Sequence, residues 1–234
     1  MHQKRLSAPK TYPIKRKKSK FTVSPRPGPH PKNDCIPLLI LVRDVFNLAE
    51  NFKEAKNLIN SGNFLVDGKV RKDYKYPVGI FDVISIPKTG EDFIIIPSKR
   101  GFGIVKIGKK DAGEKICKII GKKMVKGGKI QLNLNDGKNI LLDKNLHKVG
   151  DSLILSLSDL KIKDHLKCEK DSVGMIIKGS NRGQTGKIVD KKITEGSYPN
   201  RVVIKIDKKN LEVEENLIFV VGKTKPLIPG VKDE

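Results

Sequence analysis

Between residues 36 and 62 the apolar positions recur at helical spacing, and from 63 onward they gather in short runs broken by glycine. Leu38, Leu41, Val42, Val45, Leu48 and Ala49 predict a helix within 36–50, with Pro37 in the first turn, where its missing N–H is tolerated. A second helix is predicted at "NFKEAKNLINSG": Asn51 can cap it, Glu54 stands three residues on as in a capping box, and Gly62 can close it. Phe52, Ala55, Leu58 and Ile59 share one face of that helix, and Lys53, Lys56, Asn57 and Asn60 share the opposite one. One side should bury; the other is a row of cations and amides.

The strand-like part opens with "NFLVDGKVRKDYKYPVGIFDVISIP", in which Asp67-Gly68 is a preferred two-residue hairpin turn, because both positions must accept positive φ. The runs "FIIIPSK", "FGIVKI", "KICKII", "KIQLNL", "KNILLD" and "DSLILSL" predict a small antiparallel β-domain, a partly closed barrel, with another hairpin at Asn135-Asp136-Gly137-Lys138. Beyond it, "VGMIIKG" and "TGKIVDKK" flank the turn "SNRGQ", and "RVVIKI", "NLEVE" and "NLIFVVG" follow, a strand inventory suited to a small barrel. Gly179, Gly183 and Gly186 are expected to permit the turn and to let backbone approach a phosphate, with Asn181 and Arg182 projecting from its tip.

Charge narrows the partner. The 234 residues hold 48 Lys plus Arg against 26 Asp plus Glu, a net +22, which concentrates polyanions at the surface: nucleic acid first, anionic membrane second. The longest apolar run, "IPLLILV", falls short of the roughly 18 residues that span a bilayer, so no membrane partner is expected. The polar, basic start "MHQKRLSAPK" lacks the apolar core of a secretory signal, and the expected location is cytoplasmic. Residues 1–35 carry ten Lys or Arg against one acid, Asp34, and are rich in proline without periodicity. They are expected to form a solvated arm that orders on phosphates, with Lys4, Arg5, Lys10, Lys15, Arg16, Lys17, Lys18 and Arg26 as contacts. With no Trp and 5% aromatics, phosphate contact should outweigh base stacking.

Catalytic and ligand chemistry finds little support. "RGQTGKIV" lacks the first glycine and the closing hydroxyl of a phosphate-binding loop, and "VVGKTKP" lacks the first glycine and meets Pro226 where a helix must follow. No dinucleotide fingerprint or triad spacing occurs, and "RGFGIVKIG" holds only G-x-G. Cys35, Cys117 and Cys168 are odd in number, widely spaced and without a C-x-x-C pair, which suits neither a disulfide framework nor zinc. No catalytic residue, metal ligand, cofactor or small-molecule substrate is expected.

A cationic helix face is ordinarily just a solvated one. Helix, capped amphipathic helix and "FLVDGKV" in this order, however, resemble the α-L RNA-binding motif. That resemblance implies an RNA-facing surface with Arg43, Lys53, Lys56, Asn57, Lys69, Arg71 and Lys72; Lys75 stands just beyond. "GSNRGQTGKI" resembles the KOW motif of SH3-like barrels, with Gln184 where family members often carry a basic residue, which moves the expected contacts to Lys178, Asn181, Arg182 and Lys187.

Taken in order, "QKRLSAPK", "RPGPH", "CIPLLILVRD", "DGKVRKDYKYPVGIFDVISIPKTGEDF", "GSNRGQTGKI" and "NLIFVVGK" resemble the e-type family of small-subunit ribosomal protein S-four, shared by archaea and eukaryotes. The implied protein is a non-catalytic, structural constituent of the small ribosomal subunit that binds small-subunit rRNA and touches neighbouring ribosomal proteins. The implied fold class is α+β and multi-domain: a basic N-terminal arm (1–35), an α-L RNA-binding domain (36–98), a central β-barrel-like domain (99–170), and a C-terminal SH3-like KOW barrel with tail (171–234). The alternatives are an accessory of an RNA-modifying enzyme and a KOW-type elongation factor.

Overall fold

Leu38 to Val42 are apolar at five consecutive positions, so a helix there has no polar face to offer solvent, and all five side chains are fully buried. The helix is α over Leu38–Ile40 (α1) and widens to a π-type turn over Leu41–Val45. It is shorter than the spacing predicted. Asn47 takes a positive φ of 52°, the chain turns away, and Leu48 is left 41% exposed. Pro37 caps α1 from an extended conformation, just before the first turn. The second helix (α2, Phe52–Asn60) forms where the capping box placed it.

The computed structural model describes residues 2–206 and 209–228, and the chain divides into two compact units: Met1–Ile96 with Arg100–Gly113, and Pro97–Lys99 with Glu114–Glu234. Strands of the first unit are β1 (Gln3–Lys4), β2 (Phe21–Thr22), β3 (Cys35–Pro37), β4 (Leu65–Val66), β5 (Lys69–Val70), β6 (Pro77–Gly79), β7 (Val83–Ile86), β8 (Glu91–Ser98, whose last two residues fall in the second unit) and β9 (Gly101–Ile107). β1 pairs with β2, β3 with β6, and the rest form a sheet in the order β5-β4-β7-β8-β9. The runs "FIIIPSK" and "FGIVKI" therefore extend the sheet of the α2 unit. The core joins Ile36, Leu38–Val42, Ala55, Ile59, Phe64, Ile84 and Ile95 to Ala8, Tyr12 and Val23.

Those last three residues correct the expectation of a solvated arm, because the first 35 residues fold onto the unit. Arg5 is 5% exposed, and its guanidinium donates to the Phe21 carbonyl (3.2 Å) and the Lys15 carbonyl (2.8 Å). Arg16 donates to the carbonyls of Arg5, Leu6, Ala8 and Pro9 at 2.9–3.4 Å. Buried His30 meets both carboxylate oxygens of buried Asp82 at 3.1 Å, and Asp82 also accepts from the Gly79 N–H at 2.8 Å. A side chain at Gly79 would run into the His30 ring. Side-chain donors thus close a backbone whose prolines have none to give.

The second unit holds two five-stranded antiparallel sheets. The first contains β10 (Glu114–Met124), β11 (Ile130–Leu134), β12 (Asn139–Leu142), β13 (Ser152–Ser156) and β14 (Ile162–Leu166), in the order β12-β11-β10-β13-β14 around Cys117, Ile119, Leu132, Leu134, Leu153 and Leu155. The second contains β15 (Val173–Ile176), β16 (Thr185–Lys192), β17 (Arg201–Ile206), β18 (Lys209–Glu214) and β19 (Ile218–Gly222), in the order β18-β17-β16-β15-β19. Lys118 on β10 links them: its buried ammonium donates to the carbonyls of Glu215 (2.6 Å) and Ile218 (2.7 Å), and burial pushes its pKa down to about 8. Lys115 is buried too, 3.2 Å from the Asp136 carboxylate that Lys138 also approaches, at 3.0 Å. The described chain is mostly β with few helices.

Candidate nucleic-acid interface

α2 starts where Asn51 and Glu54 exchange capping contacts. The Glu54 carboxylate accepts from the Glu50 N–H (3.1 Å) and the Asn51 N–H (3.4 Å), and these donors hold its carboxyl below the usual range. At the other end Gly62, at φ +77°, donates to the Ile59 carbonyl. With both ends closed, Ala55 and Ile59 bury, while Lys53, Asn57 and Asn60 stand exposed and Lys56 is half-buried. Asp67 (φ 52°) and Gly68 (φ 72°) form the expected turn between β4 and β5, with Val66 opposite Lys69.

Helix and hairpin make one surface. The space beside Gly62 is lined by Val70 and the Lys72 side chain, so Lys72 lies against the C-terminal end of α2. Tyr74 and Phe52 meet in a T-shaped contact with centroids 5.5 Å apart, and the ammonium groups of Lys56 and Lys75 each lie 5.5 Å from the Tyr74 ring centroid. The Arg71 guanidinium packs over Tyr76 at 4.4 Å. Arg26 joins from the first segment: its N–H donates to the Lys75 carbonyl, and its guanidinium pairs with Asp73 at 3.2 Å. Cations from α2, from the segment after β5 and from the first segment therefore gather around Tyr74, with Arg71 over neighbouring Tyr76. Spacing alone missed the aromatic members. Phe52, assigned to the buried face, is 43% exposed, and the alternation in "DYKYP" is the signal that could have found Tyr74 and Tyr76.

Other candidate residues are placed differently. Arg5 and Arg16 face inward on backbone carbonyls, whereas Lys4, Lys10, Lys15, Lys17 and Lys18 are exposed. Arg43 is half-buried and bonded to the neighbouring Asp44 carboxylate at 2.6 Å. In the turn between β15 and β16, Lys178 is exposed, and Asn181 and Arg182 are half-buried. Two of the three glycines are required by the fold itself: a Cβ at Gly183 would sit 2.8 Å from the Pro97 carbonyl oxygen, and one at Gly186, within β16, would collide with the Lys205 carbonyl oxygen across the β16–β17 ladder. Only Gly179 of the three has open space beside it. Exposed Lys187 lies directly opposite exposed Lys205, a residue outside the motif and unmarked by spacing. Like charges facing across a ladder repel, so an anion placed between them relieves that cost. Among the described residues no helix is long and apolar enough to cross a membrane.

Residues 47–84 match the S4 domain, residues 1–33 the RS4NT (NUC023) domain, and residues 89–162 Ribosomal family S4e. Fold and surface together define a mostly β, multi-domain protein built around an RNA-binding S4 module. The chain is 48% identical over 231 residues to small ribosomal subunit protein eS4 of Archaeoglobus fulgidus, covering 97% of each, and 43% identical over 235 residues to that of Methanothermobacter thermautotrophicus, covering 99% of this chain and 97% of the relative. The crystal structure of 30S ribosomal protein S4e from Thermoplasma acidophilum aligns with a TM-score of 0.71 at 29% identity, over 82% of this chain and 97% of that one. The chain belongs to ribosomal family S4e.

Proposed function

We propose that this protein is a structural constituent of the small ribosomal subunit in the cytoplasm, where it binds and positions small-subunit rRNA and abuts neighbouring ribosomal proteins. The observation that carries this reading is the cluster of cations at Tyr74, where Lys56 and Lys75 lie over the ring and Arg26 donates to the Lys75 carbonyl; we read exposed Lys53, Asn57, Lys69 and Lys72, with Arg71, as its extension. Lysine and arginine there neutralise phosphates and release counterions, and the rigid helix and hairpin set the direction of approach. Exposed lysines of residues 1–35 extend this phosphate surface, and Arg5 and Arg16 hold the segment in shape. We read the second sheet of the second unit as an SH3-like KOW barrel, supported by the five short strands and by the return of β19 beside β15. In that reading Lys178, Asn181, Arg182 and Lys187, with Lys205, form a further RNA-facing patch. The proposed role is architectural and uses no catalytic group.

Sucrose-gradient sedimentation of the tagged full chain at low salt tests this. Co-migration with the small subunit is expected; co-purification with RNA polymerase in its place would favour a KOW-type elongation factor and overturn the ribosomal reading.

A further inference from the structure

The β10–β11 hairpin carries three exposed lysines that neither the fold nor the surface above accounts for. From Lys115 to Asn135 the sequence has six lysines and no acid. Two of them, Lys115 and Lys118, are buried in the fold, and the Lys122 ammonium donates to the His147 carbonyl at 2.8 Å. Lys123, Lys126 and Lys129 remain exposed at the far end. Lys129 has an acid nearby, but the Asp143 oxygen is 3.7 Å away and both side chains are more than half exposed, so water screens the pair.

Topology carries this end outward. β13 covers β10 only from Glu114 to Lys118, while β10 continues to Met124, pairing with β11 alone. The Val125 N–H donates to the Lys129 carbonyl and closes the turn through Gly127 (φ 84°) and Gly128 (φ 72°). Nothing lies within 4 Å of where a Cβ on either glycine would be, so the turn is open on both. Lysines often guard an unpaired strand edge against aggregation, and Lys123 can do that. Lys126 and Lys129 cannot, because they sit beyond the last ladder pair, Met124 with Ile130, where no edge remains to protect.

We propose that the tip of the β10–β11 hairpin is a separate RNA-contact element that holds backbone phosphates, with Lys123, Lys126 and Lys129 supplying charge and Gly127-Gly128 allowing close approach. This rests on the proposed function and adds a site to it. Residues 121–130 contain no aromatic side chain, so the contact carries no base stacking and reads no sequence.

The test is filter binding of the full chain to small-subunit rRNA across a salt series, comparing wild type with a Lys123→Gln, Lys126→Gln, Lys129→Gln variant. Each phosphate that is no longer neutralised should flatten the salt slope by roughly 0.7 to 0.9, so the triple variant should fall by about two in slope and roughly tenfold in affinity at the lowest salt. Its thermal transition should stay in place, since no buried lysine is touched. A control variant carries Lys144→Gln, Lys148→Gln and Lys161→Gln, three exposed lysines elsewhere in the same unit. An unchanged slope in the hairpin variant, or an equal loss in the control, overturns the hairpin site and leaves the proposed function standing. Failure of the wild type to bind this rRNA overturns both.

Discussion

Residues 1–35 and residues 51–76 are both rich in lysine and arginine, yet the first region turns its key arginines inward and the second turns its cations out. The difference lies in the backbone. Pro9, Pro13, Pro25, Pro27, Pro29 and Pro31 contribute carbonyls but no N–H, so the first segment has more acceptors than its own backbone can serve. A guanidinium, with five donors in one plane, fills the deficit: Arg5 holds two carbonyls and Arg16 four. In α2 the helix serves its own backbone and the capping box serves its first turn, so neither Lys53 nor Lys56 is drawn onto a carbonyl: Lys53 stands exposed and Lys56 lies over the Tyr74 ring. Side-chain charge is therefore a poor guide to RNA contact until the needs of the local backbone are known.

That contrast can be broken at several points. The largest effect is expected for Arg5→Ala, which leaves the Phe21 and Lys15 carbonyls without their donor inside a packed segment; about 2–4 kcal/mol of stability should go, seen as a lower denaturant midpoint. Arg5→Lys should restore little of it, because an ammonium lacks the planar fork. A smaller loss, about 1 kcal/mol by the same measurement, is expected for Asn51→Ala at the head of α2. The partner carboxylate adds a pH signature. Glu54 has its pKa lowered in the folded state, so its contribution is complete above the unfolded value and fades as pH falls through the folded one; helicity of α2 followed by amide chemical shifts should decline in that acid range and not near neutrality. Smallest on stability is Lys53→Glu with Lys56→Glu, within about 0.5 kcal/mol of wild type. The same pair should clearly weaken rRNA binding in a filter assay. A midpoint drop as large as that of Asn51→Ala would mean these lysines belong to the fold.

Legibility followed the range of the interactions. α2 was readable because its cap, box and closing glycine lie within a dozen residues, and the turn at Asp67-Gly68 because positive φ at two adjacent positions narrows the choice of residues. β16 and β17 occupy the segments "TGKIVDKK" and "RVVIKI", the apolar runs expected as strands on either side of the turn signals. Periodicity overextends α1: Leu38 to Val42 are buried on every side, so it has no polar face to register, and no local signal marks the turn at Asn47. β14, "IKDHL", escaped notice because its one fully buried residue is Leu166 and its pairing with β13 supplies the rest. The helical wheel places Phe52 on the buried face, but at the first turn of α2 it meets Tyr74 and not the interior.

Sequence alone determined the net charge, the helix caps, the hairpin turns and the ordered motifs that mark this family, since each depends on residues close together in the chain. Tertiary structure decided which cations remain available. Whether a cation meets a carbonyl, or a glycine is needed for the close approach of another segment, depends on residues distant in sequence, as Lys118 against Glu215 and Gly183 against Pro97 illustrate. A buried polar group must find its partner wherever the fold provides one, and no local pattern records that place.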